Sequence, residues 1–401
     1  MVNSIFKFNG VGQGLFYTGI IKNLNKGNNF VIVYDCGTDS KSDYLNNKID
    51  IFKKSLTTKS INLLVISHFH EDHINGIPYL LKGTKVNTVV LQNLTKLQKF
   101  VNFILYRKNN KNDDQELRRL ILEPIEYFKS YHVKRIILVS SDDNNNVIDK
   151  VYDNLDNRND NYDNDRNINN EYNSITIDKK DIIREEDNGK ILYTNNNIKC
   201  NNGLWEFCFS NNKKLNEGIS TIINNYLKTK NYTIESVIRD KNKISELMSI
   251  LKIDKNIKLN ESSMILVHHP ICGEYYYFDC SLNNGKTCNS YRCFRCFNCC
   301  YDGRRESLST ILTGDIVLDK DVCNIIQKFV NNNVPVIFQV PHHGSKPNSI
   351  KYIKFINDYS AICSIISCGP TEKHPNKYIY NLLDNPYIVD KYHNYSYVID
   401  F

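Results

Sequence analysis

The sequence lacks the features that mark membrane-spanning, secreted and repetitive proteins. No stretch of apolar residues approaches the roughly 18 that a helix needs to cross a bilayer. The N-terminal segment has Lys7 between Phe6 and Phe8 and contains no apolar core of a secretory signal. No internal repeat is visible. We therefore expect a cytoplasmic protein without a membrane partner.

The composition is that of an ordinary globular protein. Hydrophobic residues make up 41% and charged residues 24% of the 401 positions, so the chain can bury a sizeable core. The formal net charge of +7 suits an anionic substrate, although a lysine-rich surface explains it more simply. Thirteen cysteines in a chain without a secretory signal indicate a reducing compartment, where thiols stay free or bind metal.

Short β-rich segments alternate with helical patterns along most of the chain. Ile61–Ser67 is a nearly continuous apolar run, as expected of a strand buried on both faces. This order predicts a single layered α/β domain over residues 1–401, with two sheets between helices. Further strands are predicted at Ser4–Phe8, Leu15–Ile20, Asn29–Tyr34, Thr88–Leu91, Lys134–Val139, Ile198–Ser210, Ser263–Val267, Tyr275–Asp279, Ser309–Thr313, Val334–Val340, Ala361–Ser367 and Tyr395–Asp400. Helices are predicted at Ser42–Lys54, Leu94–Tyr106, Gln115–Tyr131 and Ile234–Leu251.

Two segments depart from this pattern. Residues 142–202 are dominated by Asn and Asp, and the part from Asp142 to Asp178 has too few large aliphatic residues to offset its ordering entropy. We predict a loop insertion there, disordered in part. Residues 271–307 form a second insertion with the tight cysteine spacing of thiolate metal ligands. A structural zinc ion, free or disulfide-linked thiols, and an iron–sulfur cluster are the alternatives. The candidate ligands are Cys288, Cys293, Cys296, Cys299 and Cys300.

Four potential metal ligands lie together directly after the apolar run. His68, His70 and Asp72 alternate, so they face the same way in an extended segment, and His73 begins the following turn. Imidazole nitrogen and carboxylate oxygen are ligands of Zn²⁺, Mn²⁺ or Fe²⁺. In a metal-free protein this cluster would only cost desolvation free energy. The segment therefore predicts a site for one or two divalent ions, with zinc first and manganese or iron as alternatives.

This segment resembles the His-x-His-x-Asp-His motif of the metallo-β-lactamase superfamily, and Asn75-Gly76 extends the match. The resemblance implies an αββα sandwich of two mixed β-sheets between helical layers. It implies that the first two histidines serve one metal, and the Asp and third His a second. It further implies that Asp315 bridges the metals, that His342 or His343 closes the second metal site, and that Asp35 holds a ligand histidine in place.

Several segments are similar, in the same order, to the soluble metallo-β-lactamase domain of the ComEC-type competence proteins. They begin with Gly10-Val11-Gly12-Gln13-Gly14 and continue to Ser367–Pro375, so the similarity spans nearly the whole chain apart from the two insertions. The glycine-rich segment indicates a substrate-binding role for Gln13. The membrane domain of the competence proteins is absent, so DNA transport is not implied.

One departure from the superfamily concerns the first metal. Ser262 or Ser263 stands where the superfamily has its third-motif histidine, which leaves that metal with fewer protein ligands. One-metal occupancy, or a more weakly held first metal, follows from this. His268 or His269, just downstream, is an alternative source of the missing imidazole.

The predicted activity is metal-assisted hydrolysis of a phosphodiester in nucleic acid or a nucleotide-like substrate. A bound divalent ion lowers the pKa of water from about 15.7 towards 7 and supplies hydroxide at neutral pH. Asp72 and Asp315 are the predicted catalytic carboxylates, and His374 is predicted to protonate the leaving group or bind a phosphate oxygen. Lys346 and Lys373 are predicted to attract phosphate.

Two other functions stay open from the sequence. The same chemistry would hydrolyse a non-phosphate ester, a lactone or a β-lactam. Alternatively, the chain is a metal-stabilised nucleic-acid-binding protein with little catalysis. In that case the aromatic and basic side chains of the cysteine-rich insertion would be the working surface.

Overall fold

The structure is a computed structural model. It describes residues 2–23, 27–109, 114–141, 174–211, 217–253, 263–271, 275–279, 303–305, 308–330, 336–345, 361–369, 374–383 and 385–400.

The larger of the two sheets in this part of the chain is mixed and has eleven strands. Its centre is parallel, whereas both flanks are antiparallel. In spatial order its strands are β14 (Gly303–Arg305), β13 (Tyr275–Asp279), β19 (Tyr395–Asp400), β1 (Val2–Phe8), β2 (Tyr17–Asn23), β3 (Asn28–Tyr34), β4 (Ser60–Val65), β5 (Lys85–Gln92), β6 (Arg135–Val139), β9 (Ile191–Thr194) and β8 (Ile182–Glu186).

The second sheet has eight strands within the described ranges and is also mixed. One half is parallel and the other half antiparallel. Its strands, in spatial order, are β18 (Pro386–Val389), β17 (Ala361–Ser367), β16 (Val336–Gln339), β15 (Ser309–Leu312), β12 (Met264–Pro270), β11 (Trp205–Asn211), β10 (Ile198–Asn201) and β7 (Thr176–Ile177).

Helices cover the outer face of each sheet. No helix among the described residues is long and apolar enough to cross a bilayer. Those on the larger sheet are α1 (Ser42–Ser55), α2 (Glu71–Ile74), α3 (Ile77–Leu81), α4 (Lys96–Asn109), α5 (Gln115–Leu122), α6 (Pro124–Ser130), α7 (Glu217–Lys230), α8 (Ile234–Ile238) and α9 (Lys241–Ile253). Those on the second sheet are α10 (Lys320–Phe329) and α11 (Lys377–Leu382).

The burial pattern explains this layering. Strand β1 alternates buried and half-buried residues, whereas Ile61–Val65 of β4 are buried without a break, because helices cover one face of β4 and the second sheet the other. Helix α10 buries Val322, Ile326 and Phe329, which lie on one helical face. The predicted αββα sandwich of two mixed sheets is therefore confirmed.

Three predicted elements differ from the structure. The helix predicted at Gln115–Tyr131 is two helices, because Pro124 cannot continue the hydrogen-bond ladder of α5 and begins α6. The strand predicted at Ile198–Ser210 is a hairpin, in which the side chain of Asn202 accepts hydrogen bonds from two backbone N–H groups of the turn. The helix predicted at Ile234–Leu251 is divided at Asp240, whose carboxylate caps α9.

The described end of the Asn/Asp-rich segment, residues 174–202, is part of both sheets. It contributes β8 and β9 to the larger sheet, and β7 and β10 to the second. Strand β7 therefore lies within the segment Asp142–Asp178 that was predicted to be a loop. Residues 142–173 lie outside the described residues, as does the cysteine-rich stretch from Cys280 to Asp302.

A buried polar network joins the two sheets. The indole N–H of Trp205 donates to His268 Nδ1 at 2.9 Å, so that nitrogen is an acceptor. His268 Nε2 lies 2.8 Å from Tyr17 Oη, which lies 2.9 Å from Tyr397 Oη. Both ring nitrogens of His268 are thus used inside the sandwich, and the ring is neutral.

The neutral state of His268 makes stability depend on pH. Burial, and then the neighbouring His269, lower the pKa of His268 to about 3, whereas an unfolded histidine has a pKa of about 6.5. As the pH falls below the unfolded pKa, His268 binds a proton in the unfolded chain but not in the folded chain, so the folded state becomes less stable. Between about pH 7 and pH 5 this group lowers the free energy of unfolding by about 2 kcal/mol.

Denaturant unfolding at these two pH values measures the effect. We expect His268→Gln to destabilise the fold. We also expect the difference in free energy of unfolding between pH 7 and pH 5 to be about 2 kcal/mol smaller in this variant than in the wild type. The exposed His132 supplies the control, since His132→Gln should keep the wild-type pH dependence. Equal pH dependence in the wild type and His268→Gln would contradict the assignment.

Candidate metal centre

The candidate site lies at one edge of the sandwich, where strands of both sheets end. Strand β3 ends before Asp35, and β4 leads into the segment 68–73. In the second sheet, Asp315 follows β15, and His342 and His343 follow β16. Because the carboxyl ends of parallel strands lie at the same edge of a sheet, residues far apart in sequence meet here.

Four buried residues form the more complete donor group: Asp72, His73, Asp315 and His343 each offer a ligand atom, all within 4.8 Å of one another. His343 Nε2 lies 2.9 Å from Asp72 Oδ2 and 3.8 Å from Asp315 Oδ1. His73 Nε2 lies 3.3 Å from Asp315 Oδ1. This composition and spacing suit one divalent ion.

A second group shares Asp315 and adds His68 and His70, whose ring centroids lie 4.5 Å apart. Ser263 occupies the neighbouring position, with its Oγ 3.4 Å from His68 Nδ1 and 3.3 Å from the backbone N of Asp315. A hydroxyl that contacts the far nitrogen of a ligand histidine orients the ring and is not itself a metal ligand. This group therefore has three donors.

Unsatisfied polar atoms test whether a metal fits. Within the described ranges, the buried atoms His68 Nε2, His73 Nε2 and Asp315 Oδ1 have no hydrogen-bond partner. His73 Nε2 and Asp315 Oδ1 are close, yet they are not in hydrogen-bond geometry with each other. Leaving buried polar atoms unsatisfied costs about 1–3 kcal/mol each, unless an ion completes them. The donor set therefore fits divalent metal.

Asp35 lies outside the two groups that share Asp315, although it forms a third buried group with His68 and His73. Its Oδ1 accepts from the backbone N of Ser67 at 2.7 Å, and its Oδ2 lies 2.6 Å from Ser67 Oγ and 2.7 Å from His73 Nδ1. The last contact fixes the ring of His73 so that Nε2 faces Asp315. Burial raises the pKa of Asp35, although His73 and Ser67 oppose the rise.

The carboxylates and imidazoles neutralise one another. Burial disfavours charge on His73, but Asp315, Asp72 and Asp35 outweigh it and raise the pKa of His73 well above its usual value. Burial likewise opposes ionisation of Asp315, but the surrounding histidines hold its pKa well below the usual range. The pKa of His68 is lowered well below 6.5, chiefly by burial. Neutral His68 has the protonation state that a metal ligand requires.

The backbone is strained at three of these positions. Asp35, His342 and His343 have φ angles of 55°, 53° and 54°, in the left-handed region that side chains other than glycine avoid. Each costs of order 1 kcal/mol or more. Gly314 has φ +55°, and a Cβ there would lie 2.1 Å from Ser263 Oγ, so this position requires glycine.

The two histidines after β16 have different places. His343 belongs to the four-donor group, and its Nδ1 lies 2.5 Å from the carbonyl oxygen of Ser367. His342 lies nearer the other carboxylate oxygen of Asp315, with Nδ1 3.1 Å from Oδ2, and 22% of its side chain is exposed. The structure therefore places His343 in the four-donor group and His342 outside it, a distinction that the sequence alone did not make.

Other predicted site residues lie around this centre or outside the description. The ring centroid of His374 lies 6.5 Å from that of His343. Gln13 Oε1 accepts from the backbone N of Gly369 at 3.3 Å, near the end of β17. Lys346, Lys373, Ser262 and the five candidate ligands Cys288, Cys293, Cys296, Cys299 and Cys300 lie outside the described residues.

The suggestion that His268 or His269 replaces the missing imidazole is wrong. Both nitrogens of His268 are hydrogen-bonded between the sheets. His269 pairs with Glu206, with 3.3 Å between Nε2 and Oε1. Strand β12 begins beside the candidate site at Met264, and both histidines lie near its other end.

Sequence reasoning missed Asp39. This residue keeps exposed surface, but partial burial of its carboxyl group and the neighbouring Asp72 and Glu71 raise its pKa to about 7. Its backbone N donates to the carbonyl of Gln13 at 2.6 Å. Its position four residues after Asp35 was the available signal. An isolated Asp in a loop carries little information until its neighbours are known.

The geometry predicts different effects for the two adjacent histidines. His343→Ala removes one of four donors, so affinity for zinc should fall at least about 100-fold, beyond the 10–100-fold that loss of an outer-shell partner causes. His342→Ala removes only a hydrogen-bond partner of the ligand Asp315, so zinc affinity should fall less, by no more than about 10–100-fold. Competition with a chromophoric chelator measures both. Loss of zinc from the His342 variant alone would contradict the assignment.

Comparisons with known proteins agree with this architecture. Residues 19–132 match the family model of the metallo-β-lactamase superfamily. Ribonuclease J of Mycoplasma genitalium is 29% identical over 109 residues, which is 26% of this chain and 18% of the relative. Ribonuclease J of Mycoplasma pneumoniae is 28% identical over 109 residues, which is again 26% of this chain and 18% of the relative. The chain thus spans less than a fifth of the length of these relatives.

A comparison of structures finds the metallo-β-lactamase fold protein YhfI from Bacillus subtilis. The identity is 7% and the TM-score 0.37, with 99% of this chain and 100% of the other covered. The superfamily typically binds divalent metals, in keeping with the His/Asp cluster described above. Residues 19–132 are thus similar to the metallo-β-lactamase superfamily, and the αββα architecture of the chain is the fold of that superfamily.

Proposed function

We propose that this chain is a metal-dependent phosphodiesterase that cleaves nucleic acid or a nucleotide-like substrate. The observation that carries the proposal is the pair of donor groups sharing Asp315. Sites for two metals with a shared ligand are typical of phosphatases and nucleases, in which the ions stabilise both the attacking and the leaving oxygen.

The incomplete first group supports a substrate with an anionic oxygen. His68, His70 and Asp315 provide three donors, and the hydroxyl of Ser263 faces His68 Nδ1 instead of adding a fourth. A site with three protein donors keeps a position for water or substrate. A phosphodiester oxygen is a suitable ligand for that position.

Each residue then has a role that follows from its contacts. When bound, the divalent ions supply hydroxide at neutral pH and neutralise developing negative charge. Asp35 keeps His73 oriented through the 2.7 Å contact with Nδ1. His374, near His343, is the candidate to protonate the leaving oxygen or to hydrogen-bond a phosphate oxygen.

The ribonuclease J similarity supports nucleic acid within the class of phosphodiesters. It covers 109 residues of this chain. The formal net charge of +7 favours a polyanionic substrate. The proposed metal is zinc, and manganese or iron are the alternatives.

Hydrolysis assays test the proposal. Purified protein with Zn²⁺ or Mn²⁺ should hydrolyse bis-p-nitrophenyl phosphate and labelled single-stranded RNA or DNA. Asp315→Asn should lower kcat/KM for both substrates roughly 100-fold or more, because a metal contributes several kcal/mol of transition-state stabilisation. Asp50→Asn, on α1 away from the donor groups, should leave kcat/KM unchanged.

Two outcomes would overturn the proposal in favour of another function. Turnover of a lactone or a β-lactam such as nitrocefin, with no phosphodiester cleaved, would identify the non-phosphate hydrolase. Binding of nucleic acid that is unaffected by Asp315→Asn, without turnover of any substrate, would identify the binding protein.

A further inference from the structure

A basic and aromatic cluster lies on the loop between β18 and β19. The side chain of Tyr392 is 70% exposed, far more than most tyrosines in the described part of the chain. Lys391 Nζ lies 4.7 Å from the centroid of the Tyr392 ring and 5.2 Å from that of Tyr44, in the first turn of α1. One ammonium group thus lies between two phenol rings.

The loop that presents this cluster is held in shape from within. Asp390 Oδ1 accepts hydrogen bonds from the backbone N of Tyr392 and of His393, both at 2.8 Å, and lies 2.9 Å from His393 Nδ1. The carboxylate of Asp390 is therefore engaged by its own loop. The exposed ring of Tyr392 is thereby displayed on a fixed backbone, which reduces the entropy lost when a partner binds.

The same loop packs directly on the segment that leads to the metal centre. The backbone N of Gly10 donates to Asn394 Oδ1 at 2.9 Å, and a Cβ on Gly10 would lie 2.0 Å from the carbonyl oxygen of Asp390. Three residues on, the backbone N of Gln13 donates to Ser40 Oγ at 3.0 Å, just before α1. The backbone N of Leu15 donates to the carbonyl of Asp72 at 3.2 Å. A continuous chain of contacts thus joins the cluster to the donor groups.

Charged groups of both signs lie near the cluster. Lys48 is close enough to Asp390 of the loop between β18 and β19 for this carboxylate to oppose the lowering of the Lys48 pKa by burial. The carboxylate of Asp390 is used within its loop, and Asp43 precedes Tyr44 in the first turn of α1. Exposed aromatic rings beside ammonium groups suit single-stranded nucleic acid, because bases stack on the rings and phosphates meet the positive charge.

We propose that Tyr392, Lys391 and Tyr44 form a stacking platform that binds a base of single-stranded nucleic acid and guides the strand towards the metal centre. The proposal rests on the phosphodiesterase function and adds where the polymer is held. The platform would favour binding of a polymer over binding of a small phosphodiester, because only the polymer can contact the platform and the donor groups at the same time.

The test measures binding and turnover separately. Fluorescence anisotropy in EDTA records affinity for a labelled single strand of about ten nucleotides, as DNA and as RNA, without cleavage. Tyr392→Ala should weaken this affinity roughly 5- to 100-fold, the range for loss of one base–aromatic stack. Tyr392→Phe should restore it. Hydrolysis of bis-p-nitrophenyl phosphate should stay within about twofold of the wild type, because this substrate has no base to stack.

A matched control lies on the helices of the larger sheet. Tyr232 has Lys243 Nζ 4.1 Å from its ring centroid, so Tyr232→Ala removes a similar pair away from the proposed path and should leave affinity unchanged. Equal oligonucleotide affinity in the wild type and Tyr392→Ala would overturn the platform. Equal losses in both alanine variants would also overturn it. Failure of the wild type to hydrolyse any phosphodiester would instead reject the proposed function, while the binding comparison would still stand.

Discussion

The buried carboxylate of Asp35 is the contact on which the candidate site depends. It joins the end of β3 to the segment after β4 by accepting from Ser67 and holding His73 Nδ1 at 2.7 Å. His73 in turn faces Asp315, which comes from the other sheet and belongs to both donor groups. The orientation of one imidazole therefore couples the two halves of the sandwich. Without this carboxylate, a buried histidine would lose its preferred tautomer and its charge partner.

The surrounding fold supports local strain at this edge. Asp35, His342 and His343 adopt left-handed backbone conformations, and Gly314 lies where a Cβ would meet Ser263. Such conformations persist where packed neighbours determine them, and they concentrate at functional sites. Here the neighbours are fully buried strands such as β4 and the aromatic layer between the sheets. The packed sandwich thus fixes the orientation of the candidate ligand side chains more firmly than a loop alone would. A metal site requires such fixed side chains.

Much of the fold and the centre of the site could be predicted from the sequence. Residues Ile61–Ser67 before His68 are buried without a break, and the four potential ligands that follow are close in sequence, so a local pattern was sufficient to predict them. Asp315 and His343 are remote in sequence, and only a family resemblance connected them. The alternative that His268 or His269 supplies the missing imidazole is wrong, because a histidine near a motif gives no sign of which end of a strand it occupies. The environment of Asp39 and the Tyr392 loop depends on contacts between distant elements, which a local sequence pattern does not show. The closer similarity to the ComEC-type proteins, the single-domain description and the cysteine ligands stay predictions.

The central claim is that the His/Asp cluster holds divalent metal. Elemental analysis of purified protein, before and after reconstitution with Zn²⁺ or Mn²⁺, tests it most directly when wild type is compared with the double variant His68→Ala/His70→Ala. The account predicts one or two equivalents in the wild type, with the four-donor group retaining metal and the double variant losing the metal of the three-donor group. A wild-type protein that carries no metal and binds neither ion on reconstitution would contradict the account, and the fold would then be a scaffold put to another use.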